Sequence, residues 1–173
     1  MPRDTQSVHA NMSQPFKTSI QALDRLQGVW TGEGRGYFPG VTSLDIRATL
    51  SFTRHDEKTL AYEQRAQKLY DGQTEWLESH WESGFLRVLE NNELELTSAQ
   101  IGRTEVLLGI AEVIGSSYRL SFTSKIIMND SRMLSSARMW TLEDGMLRYE
   151  MEMHTTKVEQ STPHLTIDFR RVD

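Results

Sequence analysis

The sequence predicts an all-β fold, an antiparallel up-and-down barrel of about ten strands with a short N-terminal helix. Three observations lead there. Apolar and polar residues alternate with a period of two over long stretches. Pairs rich in Asp, Asn and Gly interrupt those stretches at short intervals. Each strand so defined has one apolar face, and a sheet closed on itself buries all of those faces while removing its exposed edges.

Taken in chain order, residues 1–12 (MPRDTQSVHANM) are polar and are expected to form a loose tail, which places the globular domain at residues 13–173. Phe16, Ile20, Leu23 and Leu26 then recur at helical spacing, with Ser13 as N-cap and Pro15 in the first turn, where a missing N–H does no harm. A helix this short does not stand alone, so it should plug one end of something larger. After Gln27 the period becomes two. Leu44, Ile46, Ala48, Leu50 and Phe52 alternate with Asp45, Arg47, Thr49, Ser51 and Thr53. The same pattern recurs at Tyr118, Leu120 and Phe122, and at Leu147, Tyr149, Met151 and Met153. Asp71-Gly72, Asn91-Asn92, Gly115-Ser116, Asn129-Asp130 and Asp144-Gly145 supply the positive φ of tight hairpins. Strands are expected to begin near Val29, Leu44, Thr59, Glu75, Glu93, Thr104, Ser117, Arg132, Met146 and Pro163. A barrel of this size is wider than the eight-stranded one that side chains nearly fill, so an internal pocket is expected. A two-sheet sandwich is the competing architecture.

The first strand, GVWTGEGRGYFPG, places Gly32, Gly34 and Gly36 on the face of Trp30 and Phe38. Glycine weakens a strand, so three in a row on one face need a reason. Either the strand bends to close the barrel, or a ligand or neighbouring chain segment lies against bare backbone.

Composition excludes several functions. The chain has 173 residues, one domain's worth, and no cysteine, which removes disulfides, thiolate metal sites and thiol nucleophiles. Its net charge of −5 leaves no basic footprint for nucleic acid. No apolar run approaches the ~20 residues of a membrane-spanning helix. A cytoplasmic location is the expectation.

Five histidines could carry chemistry. His9 lies in the tail and His55 in a charged turn; His154 shares the Glu150/Glu152 face and is expected to be exposed. His80 sits in EWLESHWESGFLR on the face of Trp76, Glu78 and Glu82, and His164 opens the last strand after Pro163. No histidine pair has metalloenzyme spacing and no G-x-S-x-G elbow is present. Glu78 and Glu82 lie roughly 13 Å apart along a strand, too far for a retaining glycosidase pair. Met128, Met133, Met139, Met146, Met151 and Met153 enrich the later strands, either as adaptable core or as a soft lining for a flat apolar ligand.

Three segments together resemble the nitrobindin family of small haem-binding barrels, related in shape to the calycins and fatty-acid-binding proteins. GVWTGEGRG resembles that family's G-x-W-x-G-x-G motif through Gly28, Trp30, Gly32 and Gly34. SHWESGFLR resembles its H-x-E-x-G-aromatic-x-R pattern through His80, Glu82, Gly84, Phe85 and Arg87. TPHLTIDFRR resembles its closing P-H-L segment through Pro163, His164 and Leu165.

The resemblance implies one b-type haem per chain, with His164 as the proximal ligand and a sixth position open to a small molecule. It implies Arg132 as a basic residue contacting the haem and His80 as a residue near its other face. The chain is one residue longer after the glycines, at Tyr37-Phe38-Pro39-Gly40, so Thr42 stands in for the family's haem-contacting threonine; Gln67 replaces a family tryptophan. The implied activity is binding of nitric oxide and isomerisation of peroxynitrite to nitrate on ferric haem, by a monomer or homodimer without nucleic-acid or membrane partners. The alternative is a haem-free carrier of a fatty acid or other apolar ligand in the same barrel. One feature of the alternation opposes the haem assignment: His164 shares parity with Thr166 and Asp168, opposite Leu165 and Ile167, and so points outward. A bulge at Pro163, or a haem clamped at the barrel mouth, resolves the conflict.

Overall fold

The alternating stretches pair with one another in chain order, and the first also pairs with the last. A computed structural model describes residues 14–38 and 41–172, the side chains of residues 14–16, 38 and 41–43 excepted. The elements are α1 (Gln14–Leu26), β1 (Gly28–Phe38), β2 (Val41–Asp56), β3 (Thr59–Leu69), β4 (Leu77–Val88), β5 (Leu94–Gln100), β6 (Arg103–Ile114), β7 (Ser117–Met128), β8 (Met133–Glu143), β9 (Met146–Thr155) and β10 (Thr162–Arg171). The sheet is a closed antiparallel barrel in the order β1-β10-β9-β8-β7-β6-β5-β4-β3-β2, which eliminates the sandwich. Each sequence-marked turn contains a residue at positive φ: Gly72, Asn92, Gly115, Asn129, and both Asp144 and Gly145. Gly102 adds a sixth tight turn that the pattern did not mark. No helix among the described residues is long and apolar enough to cross a membrane.

One end of the barrel is closed by α1. Ala22, Leu23 and Leu26 are fully buried, and Trp30 Nε1 donates to the Leu26 carbonyl at 2.8 Å, satisfying a helix-end acceptor. Above the helix, Trp140 packs edge-on against Phe52, Phe122 and Tyr149 at centroid distances of 5.6, 5.2 and 6.0 Å. The expectation that the helix acts as a plug therefore holds.

The inward glycines are explained by a neighbouring strand rather than by a ligand. A Cβ on Gly34 would lie 1.9 Å from the Thr166 carbonyl oxygen of β10, and one on Gly32 would lie 2.6 Å from that of Asp168. These two positions let β10 press against β1 where the barrel closes.

The other end carries most of the irregularities. Besides the shift that skips His55 in β2 beside the β2–β3 turn, four register shifts each skip one residue: Ser79 in β4, Lys125 in β7, Leu134 in β8 and His164 in β10. All four lie in the strand portions nearest the loops at 70–76, 129–132 and 156–161. Bulges of this kind twist a barrel rim and re-aim its side chains.

Candidate functional site

A cavity of about 530 Å³ opens at the bulged end. Within it lies the consequence of the β10 bulge. Pro163 pairs with Glu152 and Leu165 with Met151, so His164 between them has no partner on β9. The missing N–H of Pro163 already interrupts the ladder at this point. The extra residue reverses local parity, and His164 lines the cavity. Its imidazole makes a hydrogen bond to the backbone of Tyr37 on β1. Burial, then the nearby charges of Arg103 and His80, pull its pKa down to about 4. The ring is therefore neutral at ordinary pH, the form that coordinates a metal.

The second bulge, at Ser79, corrects the expected face of β4. His80 and Glu82 point inward, whereas Glu78 accepts a 2.5 Å hydrogen bond from Gln67 on the outside and Trp76 lies 4.5 Å from the outward guanidinium of Arg47. His80 lines the cavity, and its Nε2 lies 3.2 Å from Glu82 Oε2.

Beneath His80 the barrel is filled by an ionic network. Arg138, with no exposed side-chain surface, donates through Nη1 to Glu82 at 2.7 Å and through Nη2 to Glu105 at 2.8 Å. Ser98 donates to Glu82 at 3.1 Å and Ser136 to Glu105 at 2.7 Å, while Gln100 bonds Glu105 at 3.0 Å. Burial alone would raise the Glu82 carboxyl, but Arg138 and His80 outweigh it and hold it well below the usual carboxylate range. Burial raises the neighbouring Tyr149 hydroxyl above its ordinary value, so it stays neutral. The network forms a rigid polar floor between cavity and apolar core.

The cavity walls combine apolar and cationic groups. Met133, Met151, Met153 and Leu165 supply soft apolar surface, and Arg103, Arg132 and Lys157 line the same cavity. Arg132 is largely exposed and pairs with Asp130, Nε to Oδ1 at 3.0 Å; Asp130 also faces Arg103 at 3.8 Å. Met128 and Met146, in contrast, are exposed and do not line this cavity, so only part of the methionine enrichment belongs to it. His154 is half-buried rather than exposed.

Of the residues singled out from sequence, His164, His80 and Arg132 converge on this one cavity. The side chain of Thr42 lies outside the described residues, as do Ser13, Pro39 and Gly40. Sequence reasoning missed Arg138, Glu105 and Gln64. Their signal was parity: Arg138 shares a face with Trp140 and Leu142, and Glu105 with Leu107, so each charge falls on an inward position.

The family described as THAP4-like, haem-binding β-barrel domain matches residues 19–171. The chain is 31% identical over 154 residues to a protein named peroxynitrite isomerase Rv2717c from Arabidopsis thaliana, covering 88% of this chain and 89% of that one. It is 32% identical over 146 residues to peroxynitrite isomerase 1 of Mycolicibacterium paratuberculosis, covering 82% and 88% respectively. The crystal structure of Rv2717c from M. tuberculosis superimposes with a TM-score of 0.78 at 25% identity, over 90% of this chain and 98% of that one.

Proposed function

Because the chain belongs to the THAP4-like haem-binding β-barrel family, we propose that it binds one ferric haem b at the bulged end of its barrel, with His164 as the axial ligand, and isomerises peroxynitrite to nitrate. The observation that carries this reading is the bulge that turns a neutral imidazole into the cavity while the Tyr37 backbone holds its ring. A metal-ligating histidine is oriented by such a bond from its other nitrogen.

When bound, the haem iron supplies an electrophilic, redox-capable centre at which the peroxynitrite anion rearranges to nitrate without gaining or losing an atom or a charge. The chain's own groups do the rest. His164 would ligate the iron. Met151, Met153 and Leu165 offer apolar surface to the macrocycle. Arg132 and Lys157 at the rim suit the propionates, Arg132 sharing its fork with Asp130. Thr42, where β2 begins, is proposed as a further contact on the strength of the family motif. Nitric oxide is proposed as a second ligand of the same site, and the cysteine-free composition supports a cytoplasmic setting.

A haem-free carrier of a fatty acid is the second reading: the same rim cations, Arg132 and Lys157, would meet its carboxylate, whereas the buried Arg138 is taken by Glu82 and Glu105. What favours haem over it is the family match and the imidazole turned into the cavity.

Titration of the purified haem-free chain with haemin tests the proposal. A saturable one-to-one Soret shift is expected, and His164→Ala should abolish it while far-ultraviolet circular dichroism stays that of a barrel. A Soret band that survives in His164→Ala removes the assignment of the ligand.

A further inference from the structure

The inward face of β3 carries Tyr62, Gln64 and Ala66, and the facing stretch of β4 carries Gly84, Glu82 and His80. Gln64 lies directly opposite Glu82 and diagonal to His80. Its side chain is 3% exposed and borders the cavity. Glu82 is already saturated by Arg138, Ser98 and His80. Among the described residues the Gln64 carboxamide makes no hydrogen bond of its own. The carboxamide is not among the polar atoms enclosed without a partner, so it is reached from the cavity and is open to a ligand there.

Position in the barrel says what such a ligand faces. Around the closed sheet β3 and β4 stand three and four strands from β10, and Gln64, His80 and His164 line the same cavity. We infer that Gln64, with His80 beside it, is the recognition site for a small oxyanion held opposite His164. The inference rests on the haem reading and names the residues that select its substrate. The amide N–H₂ donates to an oxyanion oxygen. His80, whose Nε2 lies 3.2 Å from Glu82, has Nδ1 as its remaining polar atom beside the amide. Gln64 is otherwise an expensive choice at an inward position between Tyr62 and Ala66, where an apolar side chain would fill the space.

Nitrite, a stable nitrogen oxyanion, serves as the probe on the haem-loaded chain, with carbon monoxide on the reduced form as a neutral control. Gln64→Leu should weaken nitrite binding about ten- to a hundredfold, the usual loss of a hydrogen bond to a charged acceptor. Carbon monoxide affinity should stay within about twofold. Gln64→Glu, nearly isosteric with the parent, places a like charge at the same point and should weaken nitrite further than Gln64→Leu. This second variant also covers the case in which leucine disturbs haem uptake. Nitrite affinity unchanged in a variant that keeps its Soret band and carbon monoxide binding overturns the inference and leaves the haem reading standing. A parent chain that takes up no haem sinks both.

Discussion

Arg138→Met would show what the buried network contributes. The substitution roughly keeps the volume and removes the guanidinium bonded to both Glu82 and Glu105. The two carboxylates do not suffer equally. Glu105 keeps Ser136 at 2.7 Å, Gln100 at 3.0 Å and Arg103 at 3.7 Å. Glu82 keeps only Ser98 and His80. The loss is therefore that of one broken buried pair, about 3–5 kcal/mol. Set against a typical total of about 5–15 kcal/mol, that lowers the melting temperature by roughly 6–20 °C. The effect also has a pH signature. In the parent, the folded pKa of Glu82 lies below its unfolded value, so the stability it contributes is present above that unfolded value and is lost only in strong acid. Without Arg138, burial dominates and the folded pKa moves above the unfolded value of about 4.3. The sign then reverses: stability falls as pH rises through that value toward the raised one. Urea unfolding followed by tryptophan fluorescence reports both effects, because Trp30 and Trp140 are each 1% exposed. The parent's own profile rises from about pH 5 to 7 as His164 loses its proton in the unfolded chain, so the effect is read as a difference: the variant should lose stability relative to the parent as pH rises over that range. Adding Glu82→Gln should recover most of the loss and return the profile to the parent's shape. A variant within about 1 kcal/mol of the parent at neutral pH would show that the network is not held together by this pair.

Two further outcomes follow from the same geometry. Gly34→Ala forces a Cβ against the Thr166 carbonyl, so β10 must move, and with it the bulge that aims His164; calorimetry should show a loss of about 1–3 kcal/mol, and haemin titration a weaker affinity. In the haem-free chain, His164 should titrate near pH 4 by NMR, well below the ordinary value of about 6.5. Because its folded value is the lower one, its contribution is whole above about pH 6.5 and lost as pH falls through the folded pKa; a midpoint near the ordinary value would mean that the ring is solvated and the cavity open around it.

Strand number, order and turn positions were legible because they rest on local signals: period-two alternation and the positive φ that Asn, Asp and Gly tolerate. The site was less legible because alternation is reliable only while the ladder is unbroken, and the ladder breaks where the site is. At Ser79 nothing in the sequence marks the bulge, so Glu78 was read on the face of Glu82 although a single unpaired residue sends the two to opposite sides. At His164 a signal existed. Proline removes one donor from the ladder, and the conflict between parity and the family motif pointed to an inserted residue; the register shift between Pro163 and Leu165 supplies it. The glycines of β1 show the converse. Their bare face was visible in sequence, but what presses against it is β10, whose placement depends on closing the whole circle. The inward charges lay between these cases. Glu82, Glu105 and Arg138 sit on three different strands, and only closure brings the Arg138 guanidinium to 2.7 Å from Glu82 and 2.8 Å from Glu105. A barrel wide enough to hold a ligand is also wide enough to leave a gap beneath it, and here an ionic cluster of one guanidinium and two carboxylates rather than more hydrocarbon fills that gap. That choice gives His80 a fixed partner and confines the ligand space to the end where His164 enters.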